Sequence, residues 1–371
     1  MLEHYEAQHS DFLPFKEKVE HLEENYLKQL KELNEIAMRK ERLHWVDAAK
    51  GILIVLVAVG HMIQRGDELG ISCSVFDVLK LTELFWSVFY MATFFILSGF
   101  WGKFDLNFKD FIVKKAKVLL LPLIIFSYLG GILHELFYEI LKHTYNAGAL
   151  EYPSIMISID YWFVLALFIA HIFYWGICKL TNKWSIRWAI IALVYVVGVF
   201  SLKVWFIPNY ACWKWAMIMM IYLPLGQVFK KGIQNWWLFV LALISFLGTW
   251  MMLYCYDIGF PYTTGGMKNM DLVRALPSFI LCTAGSFVFI KLCSLIKRAR
   301  VLELIGRNTL AIYVMHWWIE ILAMKVMRSL FSQGVWVSTA AVLVTLMAAV
   351  FIPCLLSELL NRPKLRWTLG K

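Results

Sequence analysis

The chain has 371 residues, of which 60% are hydrophobic, 16% aromatic and only 17% charged, and its mean hydropathy is +0.65. No soluble globular domain keeps that balance over such a length, so the sequence reads as an all-α polytopic membrane protein. The net charge of +10 sits in the short segments between apolar runs; this excludes nucleic acid as the partner and implies membrane lipids instead.

Residues 1–43 are the one sizeable stretch of soluble character. Val19, Leu22, Tyr26, Leu30, Leu33 and Ala37 recur at three- and four-residue steps with Glu and Lys between them. This is the pattern of an amphipathic helix lying along the membrane or the cytoplasmic face, and a short coiled coil through it would pair two chains as a homodimer. The long charged N-terminus does not resemble a cleavable signal peptide.

The first apolar span runs from Trp45 to Gln64. Gly51 to Gly60 carries no polar side chain, yet Asp47 and Lys50 stand near the start and His61 near the end. At about 100° per residue, the eleven steps from Lys50 to His61 make three turns plus roughly 20°, so both side chains project from one face about 16 Å apart along the axis. Asp47 lies roughly 40° off that line. Each such group costs about 2.5–3.5 kcal/mol at mid-membrane, so the stripe turns toward protein or water. Asp47 and Lys50 also fit an interfacial ion pair, and His61 a packed histidine. His61 lacks a local partner, however, which favours function.

Eight further apolar segments follow, at 80–101, 118–141, 161–180, 187–207, 211–229, 236–256, 272–296 and 308–328; a tenth span, 335–359, contains Pro353. Each approaches the ~20 residues that cross the hydrocarbon core. The expected architecture is therefore about ten transmembrane helices. It divides into a cytoplasmic amphipathic helix over 1–43, a transmembrane domain over 44–360 and a basic cytoplasmic tail over 361–371. With both termini inside, 27 of the 36 Lys and Arg residues fall on the inner side, as the positive-inside rule requires. The outer segments 142–160 and 257–271 are the longest. The second mixes glycine, aromatics and hydroxyls, and reads either as the border of a polar acceptor site or as an ordinary turn-rich connection. Seven cysteines (Cys73, Cys178, Cys212, Cys255, Cys282, Cys293 and Cys354) lie scattered with no CxxC pair. They read as small hydrophobic residues, and no metal site is expected.

Three more stretches stand out. In Thr93-Phe94-Phe95-Ile96-Leu97-Ser98-Gly99-Phe100, a small Ser-Gly pair ends an aromatic span, for which close helix packing is the default explanation. Lys114-Lys115-Ala116-Lys117 precedes the apolar run that contains Pro122. A basic cluster there satisfies the charge rule and would also suit a phosphate-rich ligand. Gly306-Arg307-Asn308-Thr309 leads through Leu310 and Tyr313 to a second membrane histidine, His316, inside a Trp-rich span.

Taken in order, these stretches resemble the family 3 membrane acyltransferases. The carriers are WVDAAKG leading to Gly60-His61, FFILSGF, KKAK before a proline, the Tyr161-Trp162-Phe163 start of a middle span, and NTLAIYVMH. The resemblance covers about residues 44–360, and the DAAKG variant looks most like the short subgroup that includes fucose 4-O-acetylase-type proteins. There are departures. Lysine stands at 50, 114 and 117 where many relatives use arginine, Tyr90-Met91-Ala92 replaces a frequent His-Met-Pro, and residues 1–43 have no recognised counterpart.

The resemblance implies transfer of an acyl group, usually acetyl, from cytoplasmic acetyl-CoA or another acyl-CoA to a hydroxyl of a carbohydrate or lipid-linked glycan. The setting would be the inner (plasma) membrane of the cell envelope, in polysaccharide O-acetylation. Lys50, Lys114, Lys115 and Lys117 are the basic groups expected to hold the anionic end of the donor. At the catalytic centre His61 is the expected base. Asp47, too far along the helix to orient His61, is assigned to Lys50 or the donor site. Glu83, Asp160, His316 and Glu320 are candidates to orient His61 or meet the acceptor. An exporter of glycan or lipid, with the polar stripe lining a path, is the alternative. A non-enzymatic partner in a polysaccharide-synthesis complex is a weaker one, suggested only by the N-terminal helix.

Overall fold

The computed structural model describes residues 13–145, 161–204, 212–256 and 271–370, and every regular element among them is helical. In chain order these are α1 (Leu13–Glu68), α2 (Ser74–Trp86), α3 (Tyr90–Gly99), α4 (Phe108–Tyr145), α5 (Trp162–Leu180), α6 (Trp184–Lys203), α7 (Trp213–Met219), α8 (Tyr222–Gly232), α9 (Trp236–Cys255), α10 (Leu272–Cys293), α11 (Arg300–Arg307), α12 (Thr309–Val326) and α13 (Gly334–Leu360). The chain is helical across the boundary expected near residue 43. The Lys-, Glu- and Leu-rich stretch before it favours helix, and α1 runs through it for 56 residues. Of the amphipathic stripe's side chains only Tyr26 is described, and it is exposed.

Seven described helices are long and apolar enough to cross a membrane: His44–Glu68 within α1, Val273–Cys293 within α10, and α5, α6, α9, α12 and α13. The protein is a multi-pass membrane protein. The pair α2 and α3, bent by 44°, adds an eighth if it is one broken span, so the described residues do not reach the expected ten by this measure. One of the differences has a local cause. The expected span 211–229 is divided into α7 and α8, because Pro224 cannot donate to the carbonyl of Met220; Leu223 N–H takes that oxygen at 3.0 Å instead. The segment 118–141 lies inside α4, a single 38-residue helix with Pro122 within it. The longer outer segments lie almost wholly outside the described residues.

The bend between α2 and α3 leaves backbone carbonyls without helical donors, which lipid could not satisfy. The Cys282 thiol of α10 supplies one donor, bonding the carbonyl of Val88 at 2.8 Å, while the Phe89 carbonyl takes the Thr93 N–H at 2.9 Å as α3 begins. α3 then presses onto α8. A Cβ on Gly99 would stand 1.9 Å from the carbonyl oxygen of Leu223, so the Ser-Gly pair does permit close helix approach. A large buried cluster from α1, α3, α5, α8 and α12 forms the interior.

Candidate functional site

The site is built around α1. The short helix α11 lies directly on it: a Cβ on Gly306 would stand 1.7 Å from the Asp47 carbonyl oxygen, and one on Gly51 2.2 Å from that of Leu302. His44 Nδ1 and Glu303 Oε2 are 2.7 Å apart, and the Ala299 N–H donates to Glu303 Oε1 at 3.0 Å. These two donors, His44 first, hold the Glu303 carboxyl below the usual carboxylate range. The docking brings Arg307, Asn308 and Thr309 to the same cavity as Lys50. Asn308 donates to the carbonyl of Leu304 at 2.9 Å and to Glu358 Oε1 on α13 at 3.0 Å, which fixes the junction.

The cavity has a volume of about 470 Å³. At its polar end are Lys50, Arg307, Asn308, Thr309 and the C-terminal Leu369 and Gly370. Its walls are apolar, with Ile54 and Val57 from α1, Leu97 from α3, Val118, Leu119 and Pro122 from α4, and Leu167 from α5. Ser98 interrupts that wall, its hydroxyl 3.1 Å from Nε2 of His171. Phe163 and Tyr313 also line the cavity, with ring centroids 5.4 Å apart.

Beyond Tyr313 lies a cluster of polar groups. The Tyr313 and His316 rings are 6.3 Å apart, His316 and His61 are 5.2 Å apart, and His61 and Trp317 are 5.6 Å apart. His61 is one turn, about 6 Å, along α1 from the cavity-lining Val57. Arg65, another turn on, places its guanidinium 3.4 Å from the centre of the Trp317 ring and pairs with Glu68. Nδ1 of His316 is 2.8 Å from the Ile312 carbonyl oxygen, so Nδ1 carries the hydrogen and Nε2 keeps its lone pair. That Nε2 is buried with no hydrogen-bond partner among the described residues, as are both carboxyl oxygens of the fully buried Glu320 one turn on.

The residues singled out in the sequence divide between these two regions. Lys50 lines the cavity, and Asp47 Oδ1 lies 3.6 Å from its ammonium nitrogen, at the opposite end of the span from His61. His316 and Glu320 join His61 in the cluster. Glu83 sits beside the preceding turn, 3.6 Å from where a Cβ on Gly60 would stand. Asp160 lies outside the described residues. The basic cluster, which lies within helix α4, behaves differently. Lys114 and Lys117 are exposed, Lys115 is half-buried over the Phe111 ring at 5.9 Å, and none of the three lines the cavity. The contribution of this stretch of α4 to the wall is the apolar Val118, Leu119 and Pro122. Arg307 stands at the cavity where those lysines were expected. Its signal was its place nine residues before His316, within the stretch already quoted. Ser98 with His171, and Trp317 with Arg65, were not foreseen, because each pairing joins segments far apart in the chain.

Among the described residues no group of His, Cys, Asp or Glu is arranged to hold a metal ion. The model of a family described as an acyltransferase domain, Acyl_transf_3, matches residues 43–358. No curated protein and no solved structure matches the chain.

Proposed function

The chain belongs to the family 3 acyltransferases, and on that premise we propose that this membrane acyltransferase moves an acetyl or other acyl group from cytoplasmic acyl-CoA to a hydroxyl of a sugar, glycan or glycolipid. The observation that carries the proposal is the nearness of two unlike regions along α1. A cavity with Lys50 and Arg307 at one end runs along α1 to Val57 and Tyr313, one turn short of the His61 cluster.

The 27-to-9 distribution of Lys and Arg supports placing the Lys50 end at the cytoplasmic face of the inner (plasma) membrane, with both termini inside. Lys50 and Arg307 then offer charge to the phosphates of the donor, Arg307 through a planar fork suited to them. Lys114, Lys115 and Lys117 add positive potential to the same face without lining the cavity. The apolar wall accommodates the thin arm that carries the thioester.

At the deep end, neutral His61 removes the proton of the acceptor hydroxyl as its oxygen attacks the thioester carbonyl carbon. The carbon–sulfur bond breaks and the thiolate leaves, a general-base role worth about 10²–10⁴ in rate. His316 sets an unpaired ring nitrogen beside His61, and Glu320 sets an unpaired carboxyl one turn away. These are groups that a polyhydroxyl acceptor satisfies and that offset the charge His61 acquires. Asp47 acts at the donor end, through Lys50.

The exporter alternative requires no covalent change. Purified protein in detergent, given labelled acetyl-CoA and a glycan acceptor, is expected to move label to the acceptor and release free CoA. Acceptor movement in vesicles with no dependence on acyl-CoA would favour export.

A further inference from the structure

Ser98 is the one hydroxyl on a stretch of cavity wall otherwise made of Leu97, Val118, Leu119 and Leu167. Its partner, His171, is fully buried in α5. Nδ1 of His171 lies 2.7 Å from the carbonyl oxygen of Leu167. A carbonyl can only accept, so Nδ1 holds the hydrogen and Nε2 presents a lone pair. Ser98 is then the donor in its 3.1 Å bond to Nε2, and its oxygen has only lone pairs left for the cavity. Phe104 stacks over the His171 ring, centroids 6.0 Å apart and planes at 21°, which keeps the imidazole in that orientation.

A serine bonded to a histidine that is itself oriented by a third group is also the pattern of an activated nucleophile. Acyl transfer to Ser98 would need N–H donors for the developing oxyanion. The nearby backbone groups that follow it are spent: Phe100 N–H bonds the Ile96 carbonyl and Gly102 N–H that of Gly99.

We infer that Ser98, aimed by His171, accepts a hydrogen bond from an amide N–H of the donor's pantetheine arm. This rests on the acyl-CoA reading above and adds to it a residue that recognises the arm itself. The acyl group and thioester carry no N–H or O–H; the arm's donors are its two amides and one hydroxyl, and the hydroxyl stands at the phosphate end, which leaves the amides as the donors along the thin part of the arm. An amide crossing this apolar wall would go unpaired without an acceptor at Ser98.

The test compares dissociation constants for CoA and for its nucleotide fragment lacking the arm, in detergent-solubilised full-length protein. Ser98→Ala and the near-isosteric Ser98→Cys should each weaken CoA about fivefold, the scale of one hydrogen bond, and leave the fragment's affinity unchanged. His171→Leu should show the same selective loss and add nothing on the Ser98→Ala background. Unchanged CoA affinity in the Ser98 variants, parallel loss of the fragment, or acyl label bound covalently to Ser98 would each overturn the inference. A wild-type protein that binds neither ligand would overturn the acyl-CoA reading and this inference with it.

Discussion

The cavity and the histidine cluster share helix α1, yet they treat their polar groups in opposite ways. Around the cavity several polar side chains are committed: Lys50 to Asp47, Ser98 to His171, Asn308 to Glu358, and Thr309 to the Gly306 carbonyl at 2.6 Å. In the cluster, His316 Nε2 and both oxygens of Glu320 have no hydrogen-bond partner. Buried polar groups normally pair, and doubly so within a membrane. On the proposed function, the committed region is architecture that also presents charge to the donor, and the uncommitted one, costly to stability, is kept for the acceptor.

The comparison breaks most completely at Gly306. Gly306→Leu forces α11 off the Asp47 carbonyl and carries Arg307 away from Lys50, while leaving His61 and His316 in place. Acyl-CoA binding per folded molecule on size exclusion should fall more than about a hundredfold. Affinity within twofold of wild type would mean that α11 does not build the donor end.

Glu320→Leu sharpens it. Removing an unpaired buried carboxyl should raise the thermal midpoint, since such a group costs about 1–3 kcal/mol, while turnover falls about tenfold. A purely structural Glu320 predicts the reverse, a lower midpoint with turnover per folded molecule unchanged.

The smallest effect belongs to the paired region. The Glu303 carboxyl titrates below its ordinary range in the folded protein, so its contribution to stability is present above the unfolded-state value and is lost as pH falls through the folded one. Thermal midpoints measured from neutral to acid pH should drop over that acidic window less steeply in Glu303→Gln than in wild type. Identical pH profiles would show that the His44 contact contributes nothing.

How much of this the sequence shows depends on whether a feature is local. The shared face of Lys50 and His61 follows from helical periodicity, and the 3.6 Å approach of Asp47 to Lys50 is an i, i+3 relation on one helix. The nearness of His316 to His61 is long-range, as is that of Ser98 to His171 seventy-three residues away; no periodicity carries such distances. Hydropathy does not register the bend at Ser87–Phe89, because the residues on both sides are equally apolar and the freed Val88 carbonyl is met by Cys282 from elsewhere. The charge rule gathers many cations on one face without saying which meets the cavity. That is why Lys114 and Lys117 read as donor ligands where Arg307 stands.

The central claim is that His61 moves the acceptor proton at the deep end of this cavity. His61→Gln keeps a hydrogen-bonding side chain of similar size but cannot cycle a proton near neutral pH. Single-turnover transfer of labelled acetyl from acetyl-CoA, measured beside CoA affinity in the same preparation, should fall at least a hundredfold with affinity unchanged. A variant that keeps more than about a tenth of wild-type turnover would contradict the assignment, the loss then being smaller than a missing base must produce.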